Sequence, residues 1–184
     1  MLSIKNQIPT GWEFSGTICF QLLEARCASV NNAFMQEAIR QAVENVRSGH
    51  GGPFGAVVVK DGRVVAVGTN SVTTANDPTA HAEVMAIREA CRVLGIFQLT
   101  GCDIYTSCEP CPMCLGAIYW ARPDHVYFAA TAADAADAGF DDSFIYTELK
   151  VQRRERKIPF EPMMHDAGLE PFEAWKQKGD RIKY

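Results

Sequence analysis

The chain has 184 residues, 47% of them hydrophobic and 22% charged, an ordinary globular balance with length enough for one sizeable core. Its formal net charge of −4 argues against a polyanionic partner, since phosphate contacts come from an excess of Lys and Arg. No apolar run approaches the ~20 residues of a membrane helix, and the short Ile18–Leu23 stretch lacks the flanks of a signal peptide. The seven cysteines (19, 27, 91, 102, 108, 111 and 114) are odd in number and lack a secretion signal. Reduced thiols in a cytoplasmic protein are therefore expected, and such thiols serve as metal ligands or catalytic groups more often than as a disulfide framework.

Residues 1–32 show no clean period, being broken by Pro9, Gly11 and Gly16, and are set apart as a leader of unassigned role. Residues 33–184 are expected to form the folded domain. Met35, Ile39, Ala42 and Val46 make an apolar stripe at helical spacing, stopped near Ser48-Gly49. Two β-branched runs, Phe54–Val59 and Val64–Thr69, flank Asp61-Gly62, a strong hairpin signal. A helix is predicted from about Asp77-Pro78, with Val84, Ile87, Cys91 and Leu94 buried and Gly95 ending it. Ile104–Thr106 reads as a buried strand, Cys111–Trp120 as a helix, Val126–Ala130 as a strand and Ala132–Ala138 as a helix. The tail from Val151 is punctuated by Pro159, Pro162 and Pro171, with a short helix near Phe172–Lys178. Strands alternating with helices imply an α/β domain with helices on both faces of its sheet. The basic run Arg153–Lys157 reads as a solvated face rather than a nucleic-acid site.

Two segments carry the chemistry. His81-Ala82-Glu83 opens one helix, and Pro110-Cys111-Pro112-Met113-Cys114 opens another. Cys111 and Cys114 are three residues apart and share one helical face, so both reach a single ion. The helix N-terminus favours thiolate over thiol. Two thiolates and the His81 imidazole give three protein ligands, the number a catalytic zinc uses when it keeps its fourth position open. Glu83, two residues from the histidine, is placed to move protons. Taken alone, His81 reads as a capping or core histidine. Cys111-x-x-Cys114 alone reads equally as a redox pair or as half of a structural zinc site, with Cys108 as a further ligand. The two segments together favour catalytic zinc.

The pattern His-x-Glu followed by Pro-Cys-x-x-Cys is the signature of the zinc nucleobase deaminases. Beyond it, Gly51-Gly52-Pro53-Phe54-Gly55-Ala56-Val57, Asn76–Glu83, Thr106–Cys114 and Ala138-Gly139-Phe140-Asp141-Asp142 resemble the bacterial guanine deaminases of the cytidine-deaminase-like superfamily. The resemblance runs from about Met35 to Tyr184. It implies a three-layer α/β/α fold with a five-stranded mixed sheet, and a homodimer whose C-terminal segment reaches the neighbouring active site in a domain swap. It further implies zinc on His81, Cys111 and Cys114, proton transfer by Glu83, and a small-molecule purine as substrate. Asn70 would contact the purine ring, Phe54 would stack on it, Asp142 would accept from its amino edge, and Tyr184 would close the pocket. From the residues alone, a carboxylate suits guanine's N1–H and amino group, because it only accepts. The bland alternative for Asp141-Asp142-Ser143 is an N-cap or Asx-turn, for Asn70 a strand-closing residue and for Tyr184 a chain end. Guanosine, tRNA adenosine and cytosine deaminases remain rival activities, and a non-catalytic zinc module or a thiol-disulfide oxidoreductase rival classes.

Overall fold

The computed structural model describes the backbone of residues 16–183 and the side chains of residues 32–183. The chain divides into two units, Met1–Ala33 and Phe34–Tyr184. In chain order the elements are α1 (Gly16–Arg47), β1 (Gly55–Lys60), β2 (Arg63–Thr69), α2 (Val72–Ala75), α3 (Ala82–Leu94), β3 (Cys102–Cys108), α4 (Pro112–Ala121) and β4 (His125–Ala130). After them come α5 (Ala132–Asp137), α6 (Ser143–Lys150), 3-10 turns at Arg153–Glu155 and Ala167–Leu169, and α7 (Glu170–Gln177).

The four strands stand in the order β2-β1-β3-β4. β1 runs antiparallel to both its neighbours, and β3 and β4 are parallel across the α4 crossover, as parallel neighbours require. Asp61 and Gly62 both have positive φ, 50° and 70°, which is the demand of the tight hairpin turn their sequence signals. Alternation along the strands sorts the core into two layers. Ala56, Val58, Ala66 and Ile104 face Ala82, Ala86 and Ala90 of α3 and Ile118 and Ala121 of α4. Val57, Val59 and Tyr105 face Phe34, Met35 and Ala38 of α1. Small residues let helix and sheet approach closely. A Cβ on Gly68 would overlap the backbone of Ala82 and Ala86, and one on Gly55 would meet the Ala38 carbonyl at 2.5 Å.

The three-layer α/β/α arrangement is the expected one, with four strands rather than five among the described residues. The segment after α6 turns into 3-10 turns and α7 and supplies no strand for the outer edge of β4. Two other expectations are corrected. The helix read from Asp77-Pro78 begins at Ala82, because the Asp77 carboxylate instead closes a turn onto the Thr79 N–H (2.8 Å) and hydroxyl (2.7 Å). Helix α1 starts at Gly16, inside the stretch set apart as a leader, although its first half lacks an apolar stripe. Helix α6 follows Asp142, which stands at its N-cap position, and Asp141 forms the Asx-turn onto the Ser143 N–H. No helix among the described residues is long and apolar enough to cross a membrane.

Candidate metal and substrate site

The site lies at one end of the sheet, where β2 and β3 finish, β1 begins, and the N-termini of α3 and α4 converge. His81 and Cys111 hold the N-cap positions of these two helices, and neither side chain makes a capping hydrogen bond. Ser, Asp or Asn at those positions would satisfy free helix N–H groups. An uncapped imidazole and thiol there are instead left to a different partner, with both helix dipoles favouring negative sulfur. One turn into α4, Cys114 is fully buried.

The His81, Cys111 and Cys114 ligand atoms lie within 4.8 Å of one another, and His81 Nδ1 stands 3.5 Å from each sulfur. A tetrahedral zinc, with bonds of about 2.3 Å to sulfur and 2.0–2.1 Å to nitrogen, sets those atoms about 3.6 Å apart. The donor set therefore fits zinc in both chemistry and spacing. Between themselves the sulfurs compete for one proton. The hydrogen bond from Cys114, with help from His81, pulls Cys111 down to about 4, and serving as that donor in a buried place pushes Cys114 up. A divalent cation removes the competition, because both sulfurs then bind as thiolates. Cys108 is buried on the last residue of β3, with its sulfur on the Thr131 carbonyl at 3.5 Å, outside the three-atom cluster.

Glu83 is 5% exposed and projects from the first turn of α3 beside the cluster, with Oε2 3.4 Å from Cys114 Sγ. Burial pushes its carboxyl above the usual range, opposed by hydrogen bonds from its own N–H, Cys114 and Thr106. A buried carboxyl of that kind, next to a candidate metal site, is suited to taking and returning a proton.

A cleft of about 110 Å³ opens over these groups. Phe54, Asn70 and Asp142 line it with His81, Glu83 and Cys111. Asn70 Oδ1 accepts from the Gly52 and Val72 N–H groups at 3.3 and 3.4 Å, which leaves its amide N–H₂ for a ligand. Buried Asn45 fixes that loop by donating to the Gly52 and Asn70 carbonyls, each at 2.8 Å. Phe54 meets Phe140 edge to face, 5.0 Å between centroids. The Asp141 carboxylate accepts from the Ser143 N–H at 2.9 Å and so starts α6. Asp142, at the N-cap, makes no capping bond and lines the cleft, its carboxyl pushed up by burial and then by the Cys111 charge. Tyr184 lies outside the described residues.

Several residues in and behind the cleft were given no role from the sequence. Phe140 adds a second aromatic wall, and Glu109 Oε2 holds the start of α5 by accepting from the Ala132 N–H at 3.0 Å. Thr106 donates to Glu83 Oε1 at 3.0 Å, and its position could have been found from the alternation of β3, which puts residues 102, 104, 106 and 108 on the α3 side. A larger groove of about 860 Å³, between Trp120 and Trp175, has no cluster of metal ligands and lies apart from this chemistry.

Residues 28–130 match the family described as the cytidine and deoxycytidylate deaminase zinc-binding region. Guanine deaminase of Bacillus subtilis is 58% identical over 154 residues, covering 84% of this chain and 99% of its own. A crystal structure of that enzyme superposes with a TM-score of 0.81 over 83% of this chain and 98% of its own. The tRNA-specific adenosine deaminase of Aquifex aeolicus is 43% identical over 97 residues, 53% of this chain and 64% of its own. A structure in complex with 2,6-diaminopurine is 30% identical, TM-score 0.58, over 76% of this chain and 68% of its own. That of guanine deaminase from Nitrosomonas europaea is 29% identical, TM-score 0.58, over 76% and 71%.

Proposed function

The chain belongs to the cytidine and deoxycytidylate deaminase family of aminohydrolases, and on that footing we propose that it hydrolyses guanine to xanthine and ammonia. The observation that carries the choice of base is the division of labour at Asp141-Asp142: Asp141 closes the turn, and the Asp142 carboxylate is left to the cleft. Guanine offers N1–H and the C2 amino group along one edge, two donors to an acceptor-only group. Adenine in the same pose turns an unprotonated N1 toward the carboxylate, acceptor against acceptor. The relationship to Bacillus subtilis guanine deaminase, which spans nearly that whole enzyme, supports the same base. The kinship with tRNA adenosine deaminases covers only about half of this chain.

Zinc, held by His81, Cys111 and Cys114 at one ion per chain, supplies Lewis acidity and a water activated at neutral pH. The residues do the rest. Phe54 and Phe140 wall the base, and the Asn70 amide donates to a ring acceptor. Asp142 holds the N1–H and amino edge so that C2 stands over Glu83. Glu83 takes a proton from the attacking water and passes it to the ring nitrogen beside C2. It then takes the proton of the new C2 hydroxyl and gives it to the amine, so that C2=O forms as the C–N bond breaks and ammonia leaves. We place the protein in the cytoplasm as a homodimer, with the C-terminal segment, Tyr184 included, closing the neighbouring pocket. Its support is a tail exposed almost throughout yet bearing Phe160, Met163, Met164 and Phe172, apolar side chains suited to a second chain.

The test is ammonia release from guanine, guanosine, adenine, adenosine, cytosine and a tRNA anticodon stem-loop, with zinc measured per chain. Guanine is expected to be turned over fastest. Turnover of adenosine in the stem-loop with guanine untouched overturns the assignment, and a marked preference for guanosine moves it to the nucleoside.

A further inference from the structure

Glu83 has to present one oxygen to the reacting water while the rest of its carboxylate stays still. Three groups hydrogen-bond it: Thr106 Oγ1 at 3.0 Å on Oε1, Cys114 Sγ at 3.4 Å on Oε2, and its own backbone N–H. As a zinc ligand Cys114 is a thiolate and donates nothing, and the bond to its own N–H moves with the residue. Among the described residues Thr106 is then the one donor from another element. It is 1% exposed on β3, in register with Ala56 on one side and Phe128 on the other, so its backbone is held from both flanks. Its branched Cβ restricts χ1, which fixes the hydroxyl in place.

We propose that Thr106 is a positioning residue for proton transfer: its hydroxyl pins Glu83 Oε1, leaving Oε2 to exchange protons with water and substrate. The division suits a carboxylate that is protonated and deprotonated in turn. When Oε2 takes the proton, Oε1 remains an acceptor for the Thr106 hydroxyl, so the contact survives each proton transfer.

The inference rests on the deaminase reading above, and the experiment separates the two. Wild type, T106V, T106S, E83Q and the double variant E83Q/T106V are compared for kcat, KM, zinc content and thermal midpoint. Turnover is measured on guanine, or on whichever base the wild-type protein deaminates fastest; failure on guanine alone touches the assignment of substrate and not this inference. Valine keeps the shape and β-branching of threonine, so T106V is expected to keep its zinc. Losing a hydrogen bond to a charged group should lower kcat about 10- to 100-fold, with KM within about twofold. T106S should recover most of that loss. In the E83Q background, T106V should cost less than about twofold, because a residue that acts through Glu83 has nothing left to position. Wild-type kcat in T106V overturns the inference, as does the same fold-loss with and without Glu83. So does loss of zinc from T106V, which makes the residue part of the scaffold.

Discussion

Replacing Asp142 by alanine tests the choice of base most directly. The carboxylate is assigned two hydrogen bonds from guanine, each worth about 1.5–3 kcal/mol for a charged acceptor. Asp142 is only half-buried, so water recovers part of that when the side chain is gone. A net loss of about 2–4 kcal/mol is expected, roughly 30- to 1,000-fold in kcat/KM for guanine. The fold should not suffer, because Asp142 makes no capping bond and Asp141 holds the start of α6. Asp142→Asn should fall between wild type and alanine: its carbonyl accepts one donor, while its N–H₂ opposes the other. The assay follows guanine consumption at several concentrations, with zinc content and thermal midpoint as controls. Guanine turnover at the wild-type rate in Asp142→Ala refutes the role. So does a loss that tracks a falling thermal midpoint, which would make the residue a support for α6. Asp141→Ala supplies the contrast, being expected to lower the thermal midpoint more than Asp142→Ala does.

Three further outcomes are expected. Glu83→Gln should keep its zinc and lose at least about 10²-fold in turnover, the lower end for a general acid–base group; near-wild-type activity would hand the proton to another residue. Cys111→Ala and Cys114→Ala should each lose zinc and activity together, as metal analysis of the purified variants will show; full zinc in both would remove them from the ligand set. Gly68→Ala should lose about 2 kcal/mol or more of unfolding free energy in denaturant titration, since its Cβ overlaps the backbone of Ala82 and Ala86, the turn that carries Glu83. Wild-type stability there would mean β2 and α3 separate at little cost.

Where chemistry demands neighbours along the chain, the site was legible in the sequence. His81 and Glu83 fall within one turn, as do Cys111 and Cys114, so helical spacing alone brings each pair together. The hairpin at Asp61-Gly62 was legible for the same reason: both residues must adopt positive φ. What was not legible depends on which surfaces meet. Thr106 reaches Glu83 across 23 residues, Asn45 reaches Asn70 across 25, and Phe140 reaches Phe54 from beyond the sheet. Each needs the strand order and the faces of the helices before it can be inferred. The fifth strand came from resemblance rather than from any β-patterned segment after Lys150, and the described tail supplies no partner for β4.

The mistaken start of α3 follows from the site's own chemistry. Asp77-Pro78 looks like a helix opening by every local rule, yet the chain spends four more residues in a turn before Ala82. Had Asp77 capped the helix, His81 would lie inside its first turns, its side chain directed along the helix surface. Placed at the N-cap instead, with extended backbone at φ −76° and ψ 155°, His81 turns off the helix axis toward the sulfurs. Cys111 does the same at the head of α4, φ −63° and ψ 167°. Giving up two side-chain caps costs about 0.5–2 kcal/mol each. That cost falls where a protein departs from its local rules for function, and zinc on these residues would offset it, because free energy of binding to a site formed only in the folded chain is also free energy of folding. The same two positions that make the site hard to delimit from sequence would therefore couple stability to the metal. A chelator is expected to lower the thermal midpoint, and an unchanged midpoint on full removal of zinc would refute the coupling.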